Sequence, residues 1–539
     1  MIRKADKYLL LFILMVSFLP GMLYAEHIQS ETARATSSSL SPALTAYRSP
    51  VSPAAKTVRV QQAGSTEVLD GVRGKREAKD TLPPQPVQTP RVVIISPEQG
   101  RLYMVGDIFV SGNKVTRTYV IERELPFKSG DSVSLQQLTR FFAQAREHLI
   151  NTHLFNEVTI SLKTFRGYAV DINIEVKERW YIFPLPYVRP VDRNFTAWAQ
   201  QGYSLSRFDY GLKYSQYNFT GRNDNLRIWL ITGYSREFEI AYDNPNTGKN
   251  LTHGFGGGFL LSGQQQIDVI TSNNQQVFLS ADSISYAGKY LQTQATFSLR
   301  YYYRPAIRTK HFFRFSFNQL KIDSAVLVYN PNYFLNNQRS LVFPEFFYSI
   351  NYNHIDYVPY PTKGFLFEGS FLQRGVTADM HMTQLTAQSI EAFSFAPKMY
   401  LVTQNFGVLR VPFKQSFYNQ KLLGYGDYYM RGLEKYVVDG VALLLDRNSV
   451  IRELASFNMP FLANTSHDRI PFRIYAETYV DLGYVFNRYY NLNSLQNTPL
   501  YTYGAGIDVV TFYDFVFRLE YSINQLGEKG LFFHFRNDF

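Results

Sequence analysis

From about residue 180 to the C-terminus, apolar and polar residues alternate in short segments that are separated by polar turns. In one segment Phe313, Phe315 and Phe317 alternate with an arginine, a serine and an asparagine. Alternate residues project from opposite faces of a β-strand, so one face of each segment is apolar and the other is polar. An aromatic-rich apolar face that recurs over many segments is typical of strands that contact lipid.

These segments predict a mainly β protein in which residues 180–539 form an antiparallel transmembrane β-barrel. About sixteen strands of roughly ten residues, joined by loops of about a dozen, would occupy that length, and other even numbers from about 14 to 18 would also fit. A soluble β-sandwich alternates too, but its buried face is seldom so aromatic and it does not need so long a segment. The barrel is therefore the favoured fold.

The segment before the barrel, residues 101–178, predicts a small α+β domain with the element order βααββ. Thr116 is placed to cap a short helix, and Ser134 to cap a longer one that has a glutamine at the capping-box position. The apolar positions of the longer helix are Leu138, Phe142, Ala145 and Leu149. Two strands are expected to follow, near residues 157–163 and 169–176.

The first hundred residues predict a signal peptide and a tether. Basic residues precede an apolar run from Tyr8 to Leu19, and a cleavage point follows Ala25, so residues 1–25 have the pattern of a secretory signal peptide. That run is too short to span a bilayer as a helix, which takes about 20 apolar residues. Residues 26–100 are rich in Ser, Thr, Ala and Pro without apolar periodicity, and are expected to be a disordered tether.

Composition supports the membrane interpretation and removes several classes of function. Aromatic residues make up 16% of the chain and charged residues only 18%, whereas soluble domains are about a quarter charged. The chain has no cysteine, which excludes disulfides, a thiol nucleophile and Cys-ligated metal sites. Its formal charge of +11 favours anionic surfaces, but no dense basic run is interleaved with aromatic residues, so nucleic acid is not an expected partner.

The sequence contains no motif of an enzyme active site. We find no G-x-S-x-G, no H-E-x-x-H and no phosphate-binding loop. His148 and His153 lie five residues apart on or just beyond the longer helix, and packing or surface roles are expected for them. The sequence therefore predicts no catalytic residue, no metal and no cofactor.

A charged pair inside the barrel is the candidate functional site. The stretch YYMRGLEKYVVDG places Arg431 beside Gly432 on a long loop, and the later stretch AETYVDLGYVFN places Glu477, Asp481 and Gly483 on the inner face of a strand. A guanidinium can hold a carboxylate through two parallel hydrogen bonds, which fix direction as well as distance. Arg431 is thus a candidate partner of Asp481, with a plainly hydrated acid in a wet lumen as the alternative. Gly432 would allow a tight turn, and Gly483 would leave the wall without a side chain where the loop docks.

These residues resemble two motifs of the outer-membrane assembly factor superfamily, to which BamA, TamA and the two-partner transporter FhaC belong. In that family a loop motif of the form Val-Arg-Gly-Phe or Tyr enters the barrel and contacts a strand motif Asp-x-Gly. Arg431 with Gly432, and Asp481 with Gly483, match these motifs, whereas Leu433 stands where an aromatic residue is usual.

Two further regions carry the same resemblance. Residues 101–178 resemble a POTRA domain, and its motif positions are Gly112, Asn113, Thr116, Gly130 and Phe155. The segment GLFFHFRNDF resembles the β-signal by which outer-membrane barrels are recognised for insertion. Its apolar face holds Phe533, Phe535 and Phe539.

The resemblance implies a Gram-negative outer-membrane protein, with its POTRA domain and tether in the periplasm, that assists insertion of other β-barrel proteins. The partners it implies are outer-membrane lipid, nascent or unfolded outer-membrane polypeptides and other subunits of an assembly machine. Two alternatives stay open: a secretion pore for an unfolded polypeptide, and a passive porin. The two-partner transporters carry two POTRA domains and a plug helix, whereas this sequence predicts one such domain and a Pro-rich tether. A passive porin would leave the POTRA-like domain without a purpose.

Overall fold

A computed structural model describes residues 101–190, 207–248, 250–285, 289–426, 428–460, 469–489 and 493–536. The predicted signal peptide, the predicted tether and Phe539 of the C-terminal signal lie outside these residues. Within the described part of the chain, every helix is too short or too polar to cross a bilayer.

The N-terminal domain of the described chain packs two helices against a four-stranded sheet. Its elements are β1 (Leu102–Ser111), α1 (Thr118–Glu122), β2 (Ser132–Ser134), α2 (Leu135–Ile150), β3 (Phe155–Arg166) and β4 (Ala169–Glu178). The strand order is β2-β1-β4-β3, with β1 parallel to β4 and the other pairs antiparallel. The predicted order βααββ lacks only β2, because a three-residue strand is too short to show a period of two.

Helix α2 begins as its sequence predicts. The Ser134 hydroxyl accepts a hydrogen bond from the backbone N–H of Gln137 at 3.2 Å, and the Gln137 side chain accepts one from the backbone N–H of Ser134 at 2.8 Å. This reciprocal capping box satisfies two backbone donors at the helix start. The expected apolar face packs into the domain core, with Phe142 at its margin and Leu138, Ala145 and Leu149 buried.

The predicted cap by Thr116 is wrong. Helix α1 begins at Thr118, and the residue before it makes no side-chain capping bond. The Thr116 hydroxyl instead accepts a hydrogen bond from Asn218 at 2.9 Å and shares one with Tyr181 at 3.2 Å. Both partners lie far along the chain, so local sequence reasoning does not reveal them.

Sixteen antiparallel strands form the large sheet, which confirms the predicted fold class and strand number. They are β5 (Ile182–Pro190), β6 (Phe208–Gln216), β7 (Asn225–Gly233), β8 (Arg236–Thr247), β9 (His253–Gln264), β12 (Gln292–Tyr303), β13 (Thr309–Ile322), β14 (Ser340–Ile355), β15 (Gly364–Arg374), β16 (Met382–Ala396), β17 (Met399–Val411), β18 (Ala442–Pro460), β19 (Arg469–Phe486), β20 (Pro499–Val510), β21 (Val516–Asn524) and β22 (Lys529–Arg536).

Between β9 and β12 lies a separate hairpin that is not predicted from the sequence. It consists of β10 (Gln266–Ser272) and β11 (Gln275–Ser280). Short helical pieces occupy other connections: α3 (Ser324–Tyr329), α4 (Phe417–Gln420) and three 3₁₀ turns at Ala281–Ser283, Leu335–Asn337 and Phe512–Asp514.

The two faces of the large sheet differ as the alternation predicts. On β13, Phe315 and Phe317 are exposed on the outside, whereas Arg314, Ser316 and Asn318 are buried on the inside. Exposed aromatic side chains on the outer face and buried polar side chains on the inner face are the arrangement of a lipid-embedded barrel.

The sheet curls until strands that are distant in its order meet inside. Tyr360, in the turn after β14, donates a hydrogen bond to Asp508 of β20 at 2.8 Å. The Tyr360 ring also stacks on Tyr475 of β19, with ring centroids 4.5 Å apart. We therefore call the inner space the lumen.

Strands β5 and β22 are the two ends of the strand order. Each pairs with its sequence neighbour, and among the described residues they do not pair with each other. We call these two strand edges together the seam. Because a strand edge without a ladder presents backbone donors and acceptors, the seam is where another strand can most readily add.

Candidate functional site

The loop between β17 and β18, residues 412–441, folds back into the lumen, and we call it the lumen loop. Its residues Met430 and Leu433 are buried in an apolar cluster with β18 and with the connection from β19 to β20. A backbone bridge between Leu423 and Val438 closes the loop on itself. Burial of this apolar surface holds the polar tip of the loop against the barrel wall.

The predicted contact between Arg431 and Asp481 is present. Arg431 Nε donates to Asp481 Oδ2 at 3.0 Å, and Nη2 donates to Oδ1 at 2.5 Å. The backbone N–H of Arg431 adds a third bond to Oδ2 at 3.2 Å. Arg431 is only 3% exposed and Asp481 is fully buried, so the pair is desolvated and its loss would leave an uncompensated charge.

Further side chains surround the same guanidinium. Arg431 Nη1 donates to Glu477 Oε1 at 2.5 Å and to the hydroxyl of Ser449 at 3.1 Å. It lies 3.9 Å from Glu520 Oε1, and the guanidinium lies 3.8 Å from the ring centre of Tyr479. Glu477 is a predicted site residue, whereas Ser449, Tyr479 and Glu520 are not predicted from the sequence.

Leu433, which departs from the family motif, packs in the apolar cluster and is buried. The aromatic ring that faces Arg431 comes from Tyr479 in the barrel wall. A stacked ring therefore exists in this site without an aromatic residue at position 433.

The two predicted glycines each permit a close approach. Gly432 has a φ of +84°, and a Cβ there would lie 2.8 Å from the Cβ of Ser522. A Cβ on Gly483 would lie 2.7 Å from the sulfur of Met430. Gly432 is thus required by both backbone conformation and space, whereas a side chain at Gly483 would only displace the flexible Met430 side chain.

Replacement of Gly432 by alanine is expected to loosen the lumen loop by about 1–3 kcal/mol, since a strained φ combines with a steric contact. Gly527 is a matched control, because it has a φ of +78° and open space around its missing side chain. The temperature at which the folded barrel band is lost on semi-native gels measures the effect. An equal decrease of this temperature in the Gly432→Ala and Gly527→Ala variants would contradict the close approach of Gly432 to Ser522.

The last strand connects the lumen loop to the seam. Phe533 and Phe535 lie on the outer side of β22, where Phe535 packs against Phe515 and Phe517 of the neighbouring strand region. His534 points inward, and its Nε2 lies 3.0 Å from Glu520 and 3.3 Å from Glu434 of the lumen loop.

The predicted POTRA motif residues serve the fold of the N-terminal domain. Gly112 has a φ of +86°, and a Cβ there would collide with the carbonyl of Val176. Asn113 donates a side-chain hydrogen bond to the carbonyl of Thr116 at 3.0 Å. Gly130 has a φ of +93°, and Phe155 is fully buried in the core.

This domain contacts turns at one end of the barrel. Arg304, at the end of β12, donates to both carboxylate oxygens of Glu124 at 2.5 and 2.7 Å. Arg179 likewise donates to both oxygens of Asp514, in the turn between β20 and β21, at 2.6 and 3.1 Å. Asn151 donates to the carbonyl of Ile355 at 3.0 Å. The domain is therefore fixed at these three turns of the barrel rim, and Asn218, in the turn between β6 and β7, adds a further contact through Thr116.

Asp514 is the most heavily bonded of these positions. His153 Nδ1 lies 2.7 Å from its Oδ2, and Tyr357 donates to its Oδ1 at 2.6 Å. His153 thus has an interdomain packing role, and His148 contacts the backbone carbonyl of Glu124 at 3.0 Å. Burial alone would raise the pKa of the Asp514 carboxyl, but the hydrogen bond from His153 and the guanidinium of Arg179 together hold that pKa well below its usual value.

Comparison with known proteins identifies the N-terminal domain. Residues 103–179 match the family described as "POTRA: Surface antigen variable number repeat". No curated protein matches the sequence.

Three solved structures are similar to the chain at low identity. BamA from Haemophilus ducreyi lacking POTRA domains 1–3 is 15% identical, with 80% of this chain and 84% of that chain covered and a TM-score of 0.42. CdiB from Escherichia coli is 11% identical, with 80% and 75% covered and a TM-score of 0.47. CdiB from Acinetobacter baumannii is 14% identical, with 81% and 73% covered and a TM-score of 0.42.

The architecture is identified by the domain match and by the sheet itself. The matched residues coincide with the βαβαββ domain, and the strands that follow form a sixteen-stranded sheet with an apolar outer face. The described chain therefore combines a POTRA-family domain with a sixteen-stranded β-barrel.

Proposed function

We propose that this protein assists the insertion and folding of β-barrel polypeptides in the outer membrane, with its POTRA domain in the periplasm. The observation that carries the proposal is the seam, where β5 and β22 end the strand order without pairing among the described residues. An incoming strand can gain backbone hydrogen bonds at such an edge, and its outer side chains then enter lipid as it adds. This role requires no catalytic group.

The POTRA domain offers a second edge for an unfolded chain. Strand β3 pairs with β4 on one side, and its other side carries no ladder within the described residues. Leu162 and Phe165 are exposed near its end. An extended polypeptide can add to such an edge by β-augmentation, because main-chain bonds give affinity without demanding one sequence.

The filled lumen favours assembly over a standing pore or a passive porin. The lumen loop is pinned through Arg431 on one side, and the β10–β11 hairpin reaches across to it from another. Asn274 of that hairpin accepts a hydrogen bond from the backbone N–H of Val437 at 2.8 Å and bonds Ser494 at 2.9 Å. A polypeptide could pass through the lumen only after both elements had moved.

Locking the seam tests the proposal. The natural chain has no cysteine, so introduced pairs are the only thiols present. We would combine Val188→Cys on β5 with a cysteine at Lys529, Leu531 or Phe533 on β22, and keep the pair that cross-links fully. Cells that depend on the oxidised protein are expected to lose most outer-membrane barrels and to recover them on reduction.

A matched control locks strands that are already paired. Leu519 and Phe533 face each other across the β21–β22 ladder, so the double cysteine variant of these two positions should retain activity when oxidised. Normal barrel assembly by the locked seam variant would refute the proposal. Loss of one exported protein, with other barrels unchanged, would instead identify a secretion pore.

A further inference from the structure

A patch of polar side chains interrupts the lipid-facing surface of the barrel. It lies on three adjacent strands, β16, β17 and β18. Its residues occupy the same outer face of the sheet as exposed apolar residues such as Leu385, Leu409 and Leu444. We call it the outer polar patch, and its members are Ser389, Glu391, Thr403, Asn405, Asp446 and Asn448.

Strand register arranges these side chains in two complete rows. Ser389 pairs with Asn405, and Asn405 pairs with Asp446. The second row, directly beside the first, runs across Glu391, Thr403 and Asn448. A register shared by three strands makes a continuous polar surface two rows deep.

The rows lie between apolar rows on both sides. Toward the lumen-loop end come the rows that contain Leu385 and Leu444, and toward the POTRA end comes the row of Phe393, Leu401 and Val450. Eight residues separate Leu385 from Phe393, which corresponds to roughly 20 Å along the membrane normal for a tilted strand. The apolar band of such barrels is about 25 Å tall, so the patch lies near its middle.

Hydrogen bonds within the patch satisfy part of its polar capacity. Thr403 donates to Asn448 at 2.9 Å, and Asn448 donates to Asp446 Oδ2 at 2.6 Å. Asn405 donates to Ser389 at 3.3 Å. A carboxylate can accept more bonds than these, and Glu391 is exposed.

A groove runs over the same place. It encloses about 440 Å³ and is lined by patch residues Ser389, Asn405 and Asp446 together with Gly407, Leu444 and Leu482. Gly407 contributes no side chain, and a Cβ there would meet only the tip of Leu444 at 3.8 Å. The groove thus joins the polar patch to apolar neighbours and leaves room for a side chain from outside.

Lipid acyl chains cannot form hydrogen bonds with the polar side chains of the patch. Polar and ionisable groups at the level of the hydrocarbon are costly unless they are paired, and they commonly mark a functional site. The outer residues Leu299 and Phe315 on β12 and β13 are apolar and exposed. Two adjacent polar rows are therefore not a feature of every strand of the barrel.

We propose that the outer polar patch docks a membrane-spanning partner protein that presents lysine or arginine, with other hydrogen-bond donors, at mid-membrane depth. The charge of the patch selects this occupant, because Asp446 and Glu391 are both acidic and the patch has no basic member. A second copy joined through the same patch would place carboxylates against carboxylates. The inference rests on the barrel's place in a membrane and is independent of which polypeptides the protein handles.

The test uses a photo-crosslinking amino acid in the full-length protein in intact outer membranes. One version carries it at Leu444, which borders the groove and is 67% exposed, and the control carries it at Leu299, which is 53% exposed on β12. We expect a discrete adduct with one membrane-spanning protein from position 444 and none from position 299. The cross-linked peptide should contain a lysine or arginine whose replacement by alanine removes the adduct.

Variants of the patch should weaken the adduct while the barrel remains folded. Asp446→Leu and Asn405→Leu are each expected to lower its yield roughly three- to twentyfold, which is the range for one hydrogen bond within a membrane. Asp446→Asn keeps the shape and removes the charge, and should also lower the yield if Asp446→Leu does not fold. Heat-modifiability on gels reports folding independently.

Three outcomes would overturn the inference. They are adducts with lipid alone, an adduct of twice the mass of the chain, and an adduct whose yield is unchanged in folded Asp446→Leu and Asp446→Asn proteins. In each case the seam experiment still reports separately on barrel assembly.

Discussion

Replacement of Arg431 by alanine is expected to release the lumen loop from the barrel wall. The guanidinium faces three buried carboxylates, those of Asp481, Glu477 and Glu520. Its removal would leave the buried Asp481 carboxylate without its ion-pair partner, and breaking a buried pair in this way costs about 3–5 kcal/mol. We expect slow assembly, loss of the heat-resistant folded band at lower temperature, and new protease cleavage within residues 428–440.

Lysine at the same position is the informative control. Arg431→Lys retains the charge but cannot reproduce the fork that engages both oxygens of Asp481 while also reaching Glu477 and Ser449. Its defect should be intermediate. The POTRA domain lies outside the contact and should stay folded in both full-length proteins. Wild-type heat-modifiability and protease resistance in Arg431→Ala would contradict the role assigned to the pair.

Replacement of Asp514 by alanine is expected to free the POTRA domain from the barrel rim. One carboxylate accepts two hydrogen bonds from Arg179 and one from Tyr357, and it pairs with His153. Its loss would leave the buried Arg179 guanidinium unpaired, again at a cost of about 3–5 kcal/mol. Spin labels on cysteines introduced at Ser129 and Lys363 should show one narrow distance in the parent protein and a broad distribution in Asp514→Ala.

The same contact should respond to acid. Because the pKa of Asp514 is lowered in the docked state, its stabilising contribution is fully present above the usual aspartate range, near pH 4, and is lost as the pH falls below it. The distribution of distances between the two spin labels should therefore broaden in acid in the parent protein. In Asp514→Ala the distribution should be broad at every pH.

An exposed acid provides the control for this experiment. Asp107 pairs with Arg166 on the surface of the POTRA domain, and such pairs contribute little. Asp107→Asn should keep the narrow distance and the acid response of the parent. An Asp514→Ala protein that also did so would show that the domain is held by its other contacts.

The sequence is sufficient to predict the strands and one contact of the site, that between Arg431 and Asp481. Alternation around Phe315 identifies a strand without any knowledge of its neighbours, and the period of two from Glu477 to Gly483 places Asp481 in the lumen. The Arg431–Asp481 contact follows from family motifs at those residues. Long helix α2 likewise follows from Ser134 and its capping box, because all the interacting groups are within one turn.

What the sequence does not reveal depends on the curvature of the sheet. Ser449 and Glu520 reach Arg431 only because β18 and β21 flank β19 and β20 in a curled wall. Thr116 has the residue type of a helix cap, yet its hydroxyl is used by Asn218 and Tyr181 from the barrel side of the chain. The β10–β11 hairpin looks like two more barrel strands by alternation, and only its pairing separates it from the sheet.

The position of His534 gives the lumen loop an energetic connection to the seam. His534 lies on β22 and contacts Glu434 of the loop, while Asn524 at the end of β21 donates to the carbonyl of Gly432 at 2.9 Å. A strand that peels β22 from its place would therefore also weaken the loop, and a loop that leaves would loosen β22. Thermodynamic linkage requires the two effects to be equal in free energy. The client strand and the lumen loop would then behave as two ligands, each of which weakens the binding of the other to the barrel.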